Sequence, residues 1–195
     1  MSITHFSFNK TEIEGLIEIT PFNTSDIRGE FIKDYSKEIF KQNNIYYNLQ
    51  EVFYTVSHKG VIRAIHFQRE KPQPKLVRCI QGHIYDVVVD LRKESSTFKK
   101  WLAFNLTGEN KRELLIPAGC GHGYLVIEPS IVSYKCAEKF ISEYDDGIIW
   151  NDKDLAIDWY IDNLGGGMSI NDIILADKDK NLQTFKEFTA KYGGF

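Results

Sequence analysis

The stretch Gly60–Lys93, GVIRAIHFQREKPQPKLVRCIQGHIYDVVVDLRK, decides how the rest of the chain is read. Two strand-like runs, Val61–Gln68 and Lys75–Gln81, flank a link carrying Pro72 and Pro74, and a third run, His83–Leu91, follows. β-branched residues bounded by turn formers mark such runs as strands. In YDVVVDL, alternation puts Tyr85, Val87, Val89 and Leu91 on one face and Asp86, Val88 and Asp90 on the other. The first face is wholly apolar and reads as core. The second mixes two acids with a valine and reads equally well as a cavity wall or a solvated face. His66 sits inside the first run with Arg63, Gln68, Lys75 and Asp86 close by in sequence. Alone it reads first as a satisfied core histidine. With those neighbours it suggests a pocket for an anionic ligand with a base inside it.

Short β-rich runs recur on both sides: Leu16–Thr20, Gln50–Ser57, Lys100–Leu106, Glu113–Ile116, Tyr124–Ile127 and Ile131–Ala137. Turn signals such as His58-Lys59-Gly60, Gly108-Glu109-Asn110 and Pro117-Ala118-Gly119 separate them. Many short strands without an intervening helical pattern predict an all-β sandwich or barrel. Helices are few. One is expected over Asp34–Gln42. Another lies in the C-terminal DKNLQTFKEFTAKY, where Leu182, Phe185, Phe188 and Tyr192 fall at helical spacing and Gly193 is the stop. That stripe is expected to pack on the barrel.

A chain of 195 residues is enough for a single domain, expected over 1–195. Its net charge of -3 gives no reason to expect nucleic-acid binding, so an anion must be held by local basic residues. No apolar run is long enough to span a membrane. The opening MSITHFSFNKTEIEG carries polar and acidic groups where the apolar core of a signal peptide would stand. Cys79, Cys120 and Cys136 show no paired spacing and read as free thiols, which points to the cytoplasm.

Among chemical signatures, no GxSxG, GxGxxG or Walker pattern is present. The glycines at 165–167 lack the following Lys-Ser/Thr and read as a loop. His5, His58, His66, His83 and His122 form no HxH or HxxxH pair, so no metal site is expected, although His66, His83 and His122 are free to converge in space. General acid–base chemistry fits best. It needs a base, a group that orients it, a proton donor on the opposite side and a cation for developing charge. His66 can be the base, Tyr134 the acid, and Lys75 or Arg63 the cation.

The blocks RAIHFQ (63–68), KLVRCIQGHIYDVVVDLRKESSTFKKW (75–101), LLIPAGCGHGYLV (114–126), SYKCAEKF (133–140) and IIWNDKDLAIDW (148–159), with DIRGEF (26–31) before them and LADKD (175–179) after, resemble the dTDP-4-dehydrorhamnose 3,5-epimerase family over almost the whole chain. The resemblance implies a cupin-type jelly-roll barrel with short peripheral helices and a C-terminal helix. It implies a cofactor-free epimerase acting on C3 and/or C5 of a nucleotide-linked 4-keto-6-deoxyhexose. It also implies a homodimer whose N-terminal element reaches the partner's site. By position, His66 matches the base, Asp179 its carboxylate partner, Tyr134 the proton donor, and Lys75 and Arg63 groups around the sugar and its ketone. Arg28 and Phe31 match contacts to the partner's diphosphate and base, and Gln68 and His122 match pocket-lining positions.

The chain departs from the pattern at several positions. Ala64 stands where the family carries glycine between the arginine and the histidine. Arg63 and His66 point to opposite faces of a regular strand, so both reach one pocket only if the strand bulges or twists between them. Lys33 replaces an acid, Glu51-Val52-Phe53-Tyr54 replaces a polar amide pair, and Phe140 replaces a tyrosine. These changes fit a different base, a different sugar, or inversion at a single carbon. Alternatives remaining are a ketoisomerase, a non-catalytic sugar-nucleotide-binding cupin and a metal-dependent cupin.

Overall fold

The computed structural model describes residues 5–161 and 168–195, so the glycine run at 165–167 lies outside the described residues. The strands are β1 (Ser7–Lys10), β2 (Ile17–Thr20), β3 (Phe22–Asp26), β4 (Gly29–Lys33), β5 (Glu51–Ser57), β6 (Ile62–Gln68), β7 (Lys75–Asp90), β8 (Trp101–Thr107), β9 (Glu113–Ile116), β10 (Cys120–Cys136) and β11 (Asp145–Gly147). Helices are α1 (Lys37–Gln42), α2 (Asp177–Lys180) and α3 (Phe185–Tyr192).

Two long strands organise the molecule. Sequence signals broke β7 and β10 into two strands each, at Gly82 and at Glu128-Pro129-Ser130. The chain bends at both places without ending its ladder. The β7–β10 register shifts between Val126 and Val132, and Gly82 takes φ +82° with its α-carbon so close to the facing strand that a Cβ would lie 2.2 Å from the Pro129 carbonyl oxygen. On one side of the bend the long strands pair with β5 and β9. On the other side they pair with β6 and β8. Val77, Leu114 and Val132 from the first half meet Val88, Leu106 and Val126 from the second in one buried cluster. The result is an all-β, cupin-type jelly roll.

Each half has an outer cover. Tyr85, Val87, Val89 and Leu91, the apolar face of YDVVVDL, pack beneath a C-terminal layer that includes Phe185 and Phe188. Burying each such aromatic contributes about 1.5–3 kcal/mol. The α3 stripe therefore packs as its spacing predicts. Thr184 and Glu187 cap it reciprocally, Gly193 ends it at φ +73°, and Asp152 accepts a hydrogen bond from the Phe185 amide at 2.8 Å. The second cover holds Phe40 and Tyr47 over Ile19, Leu76 and Leu115. The helix expected from Asp34 begins only at Lys37. Asp34 is drawn instead to Lys135 Nζ at 2.7 Å and Arg78 Nη1 at 3.3 Å.

The hairpin of β3 and β4 forms a sheet of its own. Its sequence, FNTSD and GEFIK, carries little alternation, and most of its residues are exposed. No helix among the described residues is long and apolar enough to cross a membrane.

Candidate active site

The site is built first from β6. Its pairing with β10 shifts register between His122 and Tyr124, and the Ala64–Ile65 peptide is cis. With that shift in register both Arg63 and His66 line one cavity of about 370 Å³, with Ala64 fully buried beside them. The bulge expected from the spacing of the two side chains is present. It requires Gly123 opposite, where a Cβ would lie 2.5 Å from the Ala64 Cβ and 2.6 Å from the Arg63 carbonyl oxygen.

Asp179 arrives from the far end of the chain. The segment that carries it is docked on either side, by a bridge of Ile174 to Val61 and another of Gln183 to Ile148. Between them α2 delivers Asp179 Oδ1 to 3.1 Å from His66 Nε2. The two are close enough for an ion pair. The ring N–H is not aligned on that oxygen, which has no hydrogen-bond partner among the described residues.

Strands β5 and β10 supply the facing wall. Tyr134 lies opposite Phe53 in the ladder, and their rings stack at 4.8 Å and 10°. His122 stands edge-on to Tyr134 at 5.9 Å and 70°. Its Nε2 hydrogen-bonds Asp86 Oδ2 at 2.8 Å, with both side chains buried. Asp86 is thus an interior acid spent on His122. Asp90, on the same strand face, is not part of this cavity's wall: it binds Arg92, Ser95 and Thr97 and closes the following turn. Burial pushes the Tyr134 hydroxyl well above the ordinary tyrosine range, helped by Tyr124 and Asp86 and opposed by Arg63. The phenol therefore stays protonated, as a proton donor must.

Lys75 also lines the cavity. Burial pulls its pKa below the ordinary lysine value, while Cys136 and Asp145 push it back up. Arg63 is held only by a hydrogen bond from its Nε to Ser57 Oγ, 3.1 Å long, among the described residues. The pocket therefore holds a histidine with a carboxylate beside it, a protonated phenol, and three cations, Arg63, Lys75 and Lys178. That inventory can remove a proton, return one, and hold negative charge in between.

Six of the expected site residues meet here: Arg63, His66, Lys75, His122, Tyr134 and Asp179. Gln68 does not. Its amide is consumed by three backbone groups, donating to the Lys71 and Lys139 carbonyls and accepting from the Ile141 amide. It clamps two loops together and lines no part of the cavity. Arg28 and Phe31 lie on the β3–β4 hairpin, around a separate hollow. His83 sits elsewhere, bonded to Asn105. Thr55, Asp145 and Lys178 line the cavity without having been singled out, and Phe53, noted only as a departure from the family pattern, lines it too. Thr55 and Phe53 share a strand face by alternation, and Lys178 precedes Asp179, so both signals existed. Nothing in the local sequence marks Asp145. Cys79, Cys120 and Cys136 are buried free thiols.

Comparison with known proteins supplies the family. The family model for dTDP-4-dehydrorhamnose 3,5-epimerase matches residues 10–187. The dTDP-4-dehydrorhamnose 3,5-epimerase of Methanothermobacter thermautotrophicus is 42% identical over 186 residues, covering 95% of this chain and 97% of that one. The crystal structure of a dTDP-6-deoxy-D-glucose-3,5-epimerase from Legionella pneumophila, in complex with dTDP-4-keto-L-rhamnose, superposes with a TM-score of 0.87 at 32% identity, covering 96% of each chain. A 3'-monoepimerase from Streptomyces bikiniensis, in complex with dTDP-quinovose, superposes with a TM-score of 0.82 at 28% identity, covering 94% of this chain and 89% of that one.

Proposed function

The chain belongs to the dTDP-4-dehydrorhamnose 3,5-epimerase family, and from that premise we propose that it is an isomerase inverting the carbons beside the C4 ketone of a dTDP-4-keto-6-deoxyhexose. One observation carries the residue roles: His66, with Asp179 beside it, and Tyr134 line the same cavity as Lys75. The ketone acidifies the protons on C3 and C5. His66 takes one of them, and Asp179 stabilises the imidazolium that forms. The enolate oxygen is held by the Lys75 ammonium. Tyr134 returns a proton to the opposite face, so the centre inverts. Arg63 and His122 contact the bound sugar nucleotide. No redox step occurs, and the reaction requires no cofactor.

Solvent-deuterium incorporation at C3 and C5 tests this, read by NMR on dTDP-4-keto-6-deoxyglucose and related sugars. Inversion with label at both carbons is expected. No label at either carbon with any of these sugars would overturn the reading. A second reading, inversion at one carbon only, is favoured by the aromatic side chains Phe53 and Phe140 on the pocket wall. Label confined to one carbon would establish it.

The same proposal makes the protein a homodimer of a single domain over 1–195, with Arg28 and Phe31 reaching the partner's site. It is supported by an exposed hairpin carrying Ile27, Arg28 and Phe31 away from the chain's own cavity. Arg28→Ala should raise KM about tenfold, the loss of one charge-assisted hydrogen bond, with kcat unchanged. An unchanged KM would count against a shared site. The buried free thiols support a cytoplasmic setting.

A further inference from the structure

We propose that Phe53 is a positioning residue for Tyr134, holding the phenol where it can deliver a proton to only one face of the substrate. The proposal rests on the epimerase reading above. Phe53 is the cross-strand partner of Tyr134, and the two rings are nearly parallel at 4.8 Å and 10°. His122 closes another side of the phenol, edge-on at 5.9 Å, and is itself tied to buried Asp86. Tyr134 is thus bracketed between a flat ring and a fixed imidazole. Phe53 is 39% exposed while Tyr134 is 7% exposed, so Phe53 is the wall between the phenol and solvent. Stacked rings attract beyond their buried area, and a parallel stack fixes the tilt of both.

The consequence lies in the fate of the enolate. His66 removes the C–H proton, giving imidazolium and enolate. If His66 gives the proton back, the bond re-forms with the original configuration. If Tyr134 delivers its hydroxyl proton from the other face, the centre inverts and a phenolate remains. Transfer of a proton from the imidazolium to the phenolate through solvent restores both groups. The ratio of return to inversion therefore reports the placement of Tyr134. Removing Phe53 frees the phenol to tilt and lets water beside it, without touching His66.

The experiment runs the purified protein and its Phe53→Leu, Phe53→Ala and Phe53→Trp variants in deuterium oxide, with the 4-keto sugar the parent turns over. NMR counts label in substrate of retained configuration and in the epimer. In Phe53→Leu and Phe53→Ala, inversion should fall about 10- to 100-fold, the scale of a misplaced reacting group. Exchange with retention should fall less than about threefold, so the ratio of exchange to inversion rises at least several-fold. Phe53→Trp restores a flat face and should return the ratio toward the parent's. A parent that epimerises while Phe53→Leu, folded by circular dichroism, keeps the parent's ratio would overturn the inference alone. So would a folded Phe53→Trp whose ratio matches Phe53→Leu. A parent that exchanges at neither carbon overturns the epimerase reading, and this inference falls with it.

Discussion

The pocket contains two histidine–carboxylate pairs, and they differ in almost every physical respect. His122 and Asp86 face each other from adjacent central strands, 2.8 Å apart, at 4% and 0% side-chain exposure. His66 and Asp179 are brought together from distant parts of the chain, 3.1 Å apart, with Asp179 at 4% exposure but His66 at 20%, and no aligned hydrogen bond between them. A buried, short, aligned pair fixes a tautomer and a ring orientation. A looser pair open to a cavity leaves the ring free to take and release a proton. The difference supports the roles proposed for them, scaffolding for the first pair and chemistry for the second.

The hardest test of that contrast is His66→Asn. Loss of the base should reduce exchange and inversion by about 10²–10⁴-fold. His122→Asn should leave wash-in of label far less affected, because the proton is not removed there. If His122→Asn stopped wash-in as completely as His66→Asn, the two roles would have to be exchanged.

Lys75→Met sharpens the contrast by removing charge from the open side of the pocket. Losing one group that stabilises the enolate oxygen should cost about 10²–10³-fold in kcat. The same change should stabilise the fold at neutral pH. Burial lowers the Lys75 pKa in the folded protein, so the amine holds its proton more weakly than in the unfolded chain. That penalty is fully present below the folded pKa and disappears as pH rises above the ordinary lysine value. The variant's advantage in thermal midpoint should therefore shrink toward alkaline pH. A variant less stable than the parent at pH 7 would show that Lys75 is anchored by contacts stronger than its desolvation.

How much of this was readable from the chain depends on whether a contact was local. The apolar face of YDVVVDL and the α3 stripe carry their own periodicity, and both pack as read. Gly82 and Glu128-Pro129-Ser130 carry turn chemistry, but a continuous ladder on both sides keeps each long strand whole. The β3–β4 hairpin has no buried face, so no alternation betrays it. The family resemblance placed Gln68 on the pocket wall, yet three backbone groups claim its amide. The meeting of Arg63 with His66 needed a register shift that residue spacing could demand but not locate. Gly123, the fourth residue of the facing strand, was the available clue. The union of His66 with Asp179 has no periodic signature at all, because two distant bridges bring the acid in. Only the family resemblance suggested it.

The smallest effects come from truncating the two carboxylates, and they separate the pairs most cleanly. Asp86→Ala leaves His122 Nε2 buried without its partner, a loss of about 1–3 kcal/mol in stability. Asp179 is itself buried, at 4% side-chain exposure, but its Oδ1 has no aligned hydrogen bond, so Asp179→Ala gives up little and the thermal midpoint should barely move. Activity should respond in the reverse order. Without Asp179 the imidazolium that forms during proton removal loses its neighbouring charge, and kcat should fall about tenfold, the effect of weakening a stabilising interaction by roughly 1.4 kcal/mol. Asp86→Ala should lower kcat only as far as a reoriented His122 disturbs Tyr134. Thermal melts and steady-state rates on the two variants read both axes. Equal losses of stability would mean that the Asp179 segment is braced through this contact, in addition to the bridges at Ile174 and Gln183. The catalytic pair would then be part of the scaffold too.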